Sequence, residues 1–364
     1  QMKAYEPRLL PFRSRKLDYN VFINELLDAT AKLEVYKEKI KDSKVDSEWF
    51  LPTLQQKEAI ASTKLEGTQA TLDGVLINQI EKKKDDTDLN EVYNYYLASA
   101  TGLNNLKKRE FTHDFFCDIH SILMNGDVRK RKGAEIGKYR VKQNYIGVVG
   151  EMNSITYIPP KPEKVYSLMD NLISYMNNPD DDLQPLIRTA IIHAQIETIH
   201  PFDDGNGRVG RIMIPLYLFD QKQISLPCFF ISEALESDKF RYYRLLNATR
   251  EKDQWEEWIK FFLETVSKQC EKYIFIIEKI NQLYELHLKA AKEVIKNSSI
   301  VDLINVIYRN PILNKDTVER ETNLTSSTIN RYLNKLVELE ILYSDGKKRN
   351  RKFYCYELLD ALRI

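Results

Sequence analysis

Residues 200–211 read HPFDDGNGRVGR and stand between two segments of helical text, PLIRTAIIHAQIETI before them and RVGRIMIPLYLFD at their end. Gly205, Asn206 and Gly207 interrupt the helices and permit backbone conformations that turn successive N–H groups into one concavity. The following helix adds the positive end of its dipole, so the junction is suited to an anion, most simply a phosphate. Arg208 and Arg211 are three residues apart and project from the same side of the first turn, where both can clamp further phosphate oxygens. Asp204 offers a hard oxygen ligand for Mg²⁺, which usually takes one or two carboxylates and shares phosphate oxygens. His200 is a general base of near-neutral intrinsic pKa at the same place. A base, a metal carboxylate, an anion nest and an arginine clamp are the parts of a phosphoryl or nucleotidyl transfer.

His193, Glu197 and His200 also recur at i, i+4 and i+7, the pattern of a metal-binding helix face. Seven residues of helix put about 10 Å of rise between the two histidines, too far to share one ion. His193 is therefore expected to be packed or hydrogen-bonded within the fold.

HPFDDGNGRVGR resembles the signature of the Fic family, His-x-Phe-x-(Asp or Glu)-Gly-Asn-Gly-Arg-x-x-Arg, at every fixed position. The resemblance implies a helical core over roughly residues 111–265 and transfer of AMP from ATP to a hydroxyl side chain of a protein, with release of pyrophosphate. Doc-type kinases of the family carry Lys where Gly207 stands, so nucleotidyl transfer is favoured. On this resemblance His200 deprotonates the target Ser, Thr or Tyr, Asp204 holds Mg²⁺, and Gly205, Asn206 and Gly207 cradle phosphate oxygens. Arg208 and Arg211 then bind the β and γ groups. RYYRLL at 241–246 resembles the family's Tyr-Tyr region, and Tyr243 is the residue expected to line the adenine pocket, although Tyr242 and Tyr243 also suit a core.

Upstream, Ser62-Thr63-Lys64-Leu65-Glu66-Gly67 fits the inhibitory motif of related proteins, Ser/Thr-x-x-x-Glu-Gly/Asn. On helical grounds Glu66 is misplaced. Gly67 is a natural left-handed helix stop, which puts Glu66 in the last turn, where exposed carbonyls disfavour an anion. The resemblance implies that Ser62, Glu66 and Gly67 form an inhibitory element and that Glu66 pairs with Arg211, displacing the γ-phosphate.

The 364 residues exceed what one compact core usually holds, so more than one domain is expected. With 54 Lys plus Arg against 53 Asp plus Glu, the chain has no bulk field to attract nucleic acid, membrane or acidic substrate. Cys117, Cys228, Cys270 and Cys355 form no CxxC pair, and the chain opens with QMKAYEPRLLPF rather than a basic head and apolar run. A reduced, cytoplasmic protein with no membrane partner is the expectation.

The text is mainly α. Apolar residues at helical spacing (Phe22, Leu26, Ala29, Leu33, Tyr36, Ile40) open a helical region over 1–110, and Thr112 is a plausible cap for the helix that opens the core at 111–265. Within the core, YRVKQNYIGVV and SITYIPP read as a hairpin ended by Pro159 and Pro160; the resemblance makes Lys142–Ile158 a flap that holds an extended target segment by strand addition. Residues 266–296 read as a connecting helix with Tyr273, Ile277, Ile280 and Tyr284 on a packing stripe. Residues 297–364 order as three helices and a hairpin, which suits a winged helix-turn-helix opened by Thr325 or Ser326, with GKKRNRK at the wing tip. Seven basic residues (Arg331, Lys335, Lys347, Lys348, Arg349, Arg351, Lys352) face three acidic ones (Glu338, Glu340, Asp345) between Thr325 and Lys352, so the unit suits DNA, protein docking or dimer formation.

The expected whole is an ATP- and Mg²⁺-dependent protein adenylyltransferase restrained by its own N-terminal helix. Its expected partners are ATP, a target protein on the 142–158 flap, the chain itself as a target, a second copy in a homodimer, and DNA through the C-terminal unit. The alternatives are transfer of another nucleotide or phosphate-containing group and, outside catalysis, a DNA-binding transcriptional regulator that senses a nucleotide.

Overall fold

The computed structural model describes residues 3–82, 86–147, 155–225 and 229–364. Cys228 and the joining residues GEMN of the hairpin lie outside the described residues. The described chain is mainly α, in agreement with the sequence.

The N-terminal third holds α1 (Ile23–Lys41), α2 (Ser47–Leu65), α3 (Leu72–Glu81) and α4 (Thr87–Leu106). Phe22, Leu26, Ala29, Leu33 and Tyr36 are buried as their spacing predicts, whereas Ile40 is only partly covered. Asp86, expected in a loop, caps α4 by accepting from the Leu89 N–H. α2 is fixed by the buried Glu58, which accepts from Tyr95 Oη at 3.0 Å and from the Ser232 N–H at 3.0 Å.

The middle of the chain holds α5 (His113–Leu123), β1 (Ile146–Gly147), β2 (Ile155–Tyr157), α6 (Pro162–Asn177), α7 (Pro185–Ile199), α8 (Asn206–Asp220), α9 (Ser232–Ser237), α10 (Lys239–Glu251) and α11 (Trp255–Val294). Thr112 caps α5 through the Phe115 N–H, and Pro162 and Pro185 stand at helix starts, where a missing N–H costs nothing. α7 and α8 are buried along nearly their whole length and form the centre of the core, with α4 and α5 against α8 and α11 against α7. Among the described residues β1 and β2 pair antiparallel, with Ile146 opposite Tyr157, and the first leg before Ile146 forms no strand. Arg140 and Asn144 turn inward there instead of extending a strand.

α11 runs without a break across the expected division at 265/266, with Tyr273, Ile277, Ile280 and Tyr284 buried along it. The C-terminal unit holds α12 (Ile300–Arg309), β3 (Ile312–Asn314), α13 (Lys315–Glu321), α14 (Ser326–Glu338), β4 (Tyr343–Ser344), β5 (Lys352–Tyr354) and α15 (Tyr356–Arg363). Thr325 opens α14 by accepting from the Thr328 N–H. β3 and α15 have no counterpart in the sequence reading; β3 pairs with β5 to give a sheet of order β3-β5-β4. This unit sits on the N-terminal third. α12 packs on α2, Lys352 Nζ pairs with Glu81 Oε1 at 2.6 Å, and Arg363 Nε donates to Asp73 Oδ1 at 3.1 Å. No helix among the described residues is long and apolar enough to cross a membrane.

Candidate active site

α7 ends at Ile199 because His200 takes a left-handed backbone, φ 50°, from which its N–H still reaches the Ile196 carbonyl at 2.9 Å. The chain then folds back on itself. Asn206, 2% exposed, accepts from the Phe202 N–H and donates to the Phe202 carbonyl, both at 2.8 Å. Its side chain thus staples the loop and leaves the cradling of an anion to backbone N–H groups. His120 stacks on Phe202 with ring centroids 3.9 Å apart, its Nε2 lies 3.0 Å from the Asp204 carbonyl, and its Nδ1 accepts from the Gly137 N–H at 2.9 Å. That pattern fixes a neutral tautomer with Nε2 protonated, and burial keeps its pKa down at about 4.

The His200 imidazole is held neutral by burial, with Arg250 and Arg140 pushing the same way, and its pKa falls to about 3. Its Nδ1 is buried without a well-formed hydrogen bond. Asp204 Oδ2 accepts from the Arg131 N–H at 2.8 Å and Oδ1 from the Gly205 N–H at 2.7 Å. Gly205 adopts φ +79° beneath Met124, where a Cβ would stand 2.8 Å from the thioether sulfur.

Both signature arginines are buried, and both are held by the N-terminal third. Arg208 Nη1 donates to Glu91 Oε2 at 3.3 Å; Glu91 is itself 1% exposed and also accepts from the Arg129 N–H at 2.9 Å. Arg211 donates from Nε to Ser62 Oγ at 2.7 Å, and from Nη2 to the Ser62 carbonyl at 3.1 Å and to Glu66 Oε1 at 2.5 Å. Glu66 and Arg211 therefore meet. α2 ends one residue earlier than expected, so Glu66 lies just past it, and Gly67 makes the turn at φ +106°. Burial would raise the Glu66 carboxyl, but Arg211 and Arg208 outweigh it and hold its pKa below the usual value. Gly207 makes room for this pair, since a Cβ there would lie 2.6 Å from Glu66 Oε1 and 2.8 Å from Arg211 Nη1.

Tyr243 is 41% exposed and sits beside the buried Tyr242, ring centroids 4.8 Å apart. Burial raises its pKa, opposed by Arg211, which places Tyr243 within the field of the arginine clamp. Tyr242 belongs to the core: its hydroxyl lies 2.8 Å from His193 Nε2, and His193 is buried as expected, its pKa lowered to about 3 by desolvation. Glu197 is 8% exposed, its Oε1 lacks a partner, and burial raises its pKa to about 7.

Several residues of the site escaped sequence reasoning: Glu91, His120, Arg131, Arg140 and Asn144; Glu197 enters it only through the His193, Glu197 and His200 spacing. Only Arg140 carried a signal, in the GKYR stretch at 137–140.

Three kinds of comparison bear on this geometry. The family model "Fic/DOC family" matches residues 110–218, and "Fic/DOC family N-terminal" matches residues 23–104. The protein adenylyltransferase Fic of Drosophila erecta is 25% identical over 284 residues, 78% of this chain and 51% of that one. A probable protein adenylyltransferase of Aquifex aeolicus is 25% identical over 173 residues, 48% of this chain and 50% of that one. The chain spans about half the length of these relatives. Among solved structures, a Fic family protein from Desulfovibrio desulfuricans G20 aligns with TM-score 0.58 at 20% identity, covering 94% of this chain and 97% of that one. A Fic domain-containing signaling protein from Bacteroides thetaiotaomicron aligns with TM-score 0.53 at 16% identity, covering 69% and 97%. These likenesses bear on the fold, while the two family models bracket the signature loop and the segment that meets it. The chain carries the Fic/DOC family domain, preceded by the N-terminal region of the same family.

Proposed function

We propose that this protein transfers AMP from ATP to a Ser, Thr or Tyr hydroxyl of a protein target, and that the end of α2 restrains it. The observation that carries the reading is Arg211, whose guanidinium is taken by Glu66 Oε1 and Ser62 at the mouth of the glycine nest. A carboxylate there stands in the place suited to a terminal phosphate. The relatives named protein adenylyltransferase support the reaction class.

In this mechanism Arg211, freed of Glu66, and the N–H groups at the start of α8 bind the polyphosphate. Neutral His200 takes the proton of the target hydroxyl, whose oxygen bonds to the α-phosphorus. The bond from the α-phosphorus to the bridging oxygen breaks, and that oxygen leaves with the electron pair on pyrophosphate. Asp204 fits a metal carried in by the nucleotide: it is a single carboxylate, 35% exposed, oriented by two backbone N–H groups. Mg²⁺ bound there would neutralise phosphate charge.

Incubation of wild type and His200→Ala with ATP and Mg²⁺, followed by mass spectrometry, tests the reaction. Peptides bearing AMP that vanish with His200→Ala are expected; adducts of a different mass, or adducts unaffected by the substitution, would refute the reading.

A second reading concerns the C-terminal unit, whose first three helices, followed by the β4–β5 pair with β3 beside it, support a winged helix. Of the seven basic residues between Thr325 and Lys352, Lys352 is buried against Glu81, Lys335 pairs with Glu338, and Arg351 donates to Ser344 Oγ. Arg331, Lys347, Lys348 and Arg349 stay exposed. DNA contact through them predicts duplex binding that weakens steeply with salt, by a log–log slope of about −0.9 per phosphate, and that flattens when Lys347, Lys348 and Arg349 become Ala.

A further inference from the structure

The last carbonyls of a helix have no partner within it and must be satisfied from outside. At the end of α7 the partners come from the flap legs. Thr198 O accepts from Tyr157 Oη at 2.8 Å, Ile199 O from Arg140 Nη2 at 3.3 Å, and His200 O from Arg140 Nε at 2.8 Å. Pro201 O accepts from the Arg140 N–H at 2.9 Å and Phe202 O from Asn144 Nδ2 at 2.9 Å. Five consecutive carbonyls around the base are thus bound by residues that lead into or out of the hairpin.

Arg140 also holds the two legs of the hairpin to each other. Nη1 donates to the Lys142 carbonyl at 3.2 Å and Nη2 to the Pro160 carbonyl at 2.6 Å, one on each side of the hairpin. Arg140 is 2% exposed, and among the described residues every oxygen its guanidinium donates to is a main-chain carbonyl. Burying a cation without a carboxylate in contact is costly, and burial lowers its pKa, even though the negative end of the α7 dipole offsets part of the cost. A neutral side chain could not span four carbonyls in one planar fork.

We propose that Arg140 is a positioning residue that fastens the hairpin legs and the His200 turn into one rigid body, so that a protein segment docked on the hairpin is placed in register with His200. This inference rests on the adenylyltransferase reading for its functional consequence. The ATP phosphates are served by a different set of groups, the α8 N–H groups and Arg211, so positioning of the target and binding of the nucleotide separate in experiment.

The test uses the full chain carrying Glu66→Gly, alone and with Arg140→Gln, Arg140→Lys or Tyr157→Phe. AMP incorporation from α-labelled ATP is measured with a mixture of Ser-, Thr- and Tyr-containing peptides as acceptor. ATP affinity is measured with a fluorescent ATP analogue, and amide hydrogen exchange is followed by mass spectrometry. Arg140→Gln is expected to lower AMP transfer about 100-fold, the scale of a misplacement near 1 Å, with ATP affinity held within about threefold. Arg140→Lys should recover part of that loss, and Tyr157→Phe, which removes one carbonyl partner, should cost about 3- to 10-fold. Peptides covering 142–147, 155–160 and 196–203 should exchange faster together, while the first turns of α7 stay protected. Transfer within threefold of the parent, equal loss of ATP affinity and transfer, or faster exchange confined to the hairpin would each overturn the proposal. If Arg140→Gln does not fold, Arg140→Lys and Tyr157→Phe carry the same readouts. If the Glu66→Gly parent transfers no AMP, the adenylyltransferase reading fails, and the exchange measurement alone decides whether the two elements move as one.

Discussion

Replacing Glu66 with Gly removes one of the three hydrogen bonds that tie Arg211 to α2 and leaves the two to Ser62 in place. The lost bond joins two charged groups at 2.5 Å, with Arg211 1% exposed and the Glu66 side chain 32% exposed. A charge-assisted bond of that kind contributes about 1.5–3 kcal/mol, and the partial exposure of Glu66 argues for the lower half. Since a nucleotide must break it to reach Arg211, its removal should raise AMP transfer roughly 10- to 50-fold at subsaturating ATP. Because the pKa of Glu66 is depressed in the folded chain, its contribution is present above the ordinary carboxylate value and is lost only as pH falls through the lower folded value. Restraint should therefore be constant across neutral pH and relax only in acid. The assay is incorporation of α-labelled AMP at neutral pH by wild type, Glu66→Gly and Glu66→Gly with His200→Ala. Equal rates for wild type and Glu66→Gly, with His200→Ala abolishing transfer by Glu66→Gly, would refute the inhibitory role while leaving the base in place.

The buried Glu197 carboxyl, at about 7, binds a proton that the unfolded chain has already released, so wild-type stability should fall as pH rises toward 7 and then level off. Glu197→Gln cannot titrate and should be the more stable protein above pH 7, by up to about 3 kcal/mol, with a flatter melting temperature across that window. Asn206→Ala cuts both bonds to the Phe202 backbone and should cost about 2–3 kcal/mol in urea unfolding; a cost under about 0.5 would mean that the loop does not depend on that staple. Gly102→Ala would set a Cβ 2.6 Å from Leu216 Cδ1 and 3.0 Å from Ile119 Cδ1 where α4 crosses α8 and α5, and should destabilise by about 1–3 kcal/mol on thermal unfolding.

What could be read from sequence has a local cause. Thr112, Pro185 and Thr325 mark helix starts because a cap or a fixed φ acts on the next few residues, and Gly205 stands at the N-cap of α8 because that position takes a positive φ. The signature loop was legible for the same reason, as its groups are contiguous. The hairpin was legible in place, but not where its first leg begins, since the residues before Ile146 are spent on inward contacts by Arg140 and Asn144. β3 went unseen because three residues carry too little period, and it forms only by pairing with β5, about forty residues on.

Sequence alone thus determined most of the helical elements, the glycine-bearing junction between α7 and α8, and the chemical types gathered there. That Glu66 answers Arg211 followed from resemblance to a family motif, not from the local chemistry of either residue. Only the tertiary structure decided that Asn206 serves the loop, that Glu91 holds Arg208, that Arg140 joins the hairpin to the His200 turn, and that the C-terminal unit rests on α2 and α3. Each of these contacts joins groups whose pairing depends on how the core buries α7 and α8. A local preference fixes a residue's own backbone, whereas a buried charge takes whichever partner the fold brings within reach.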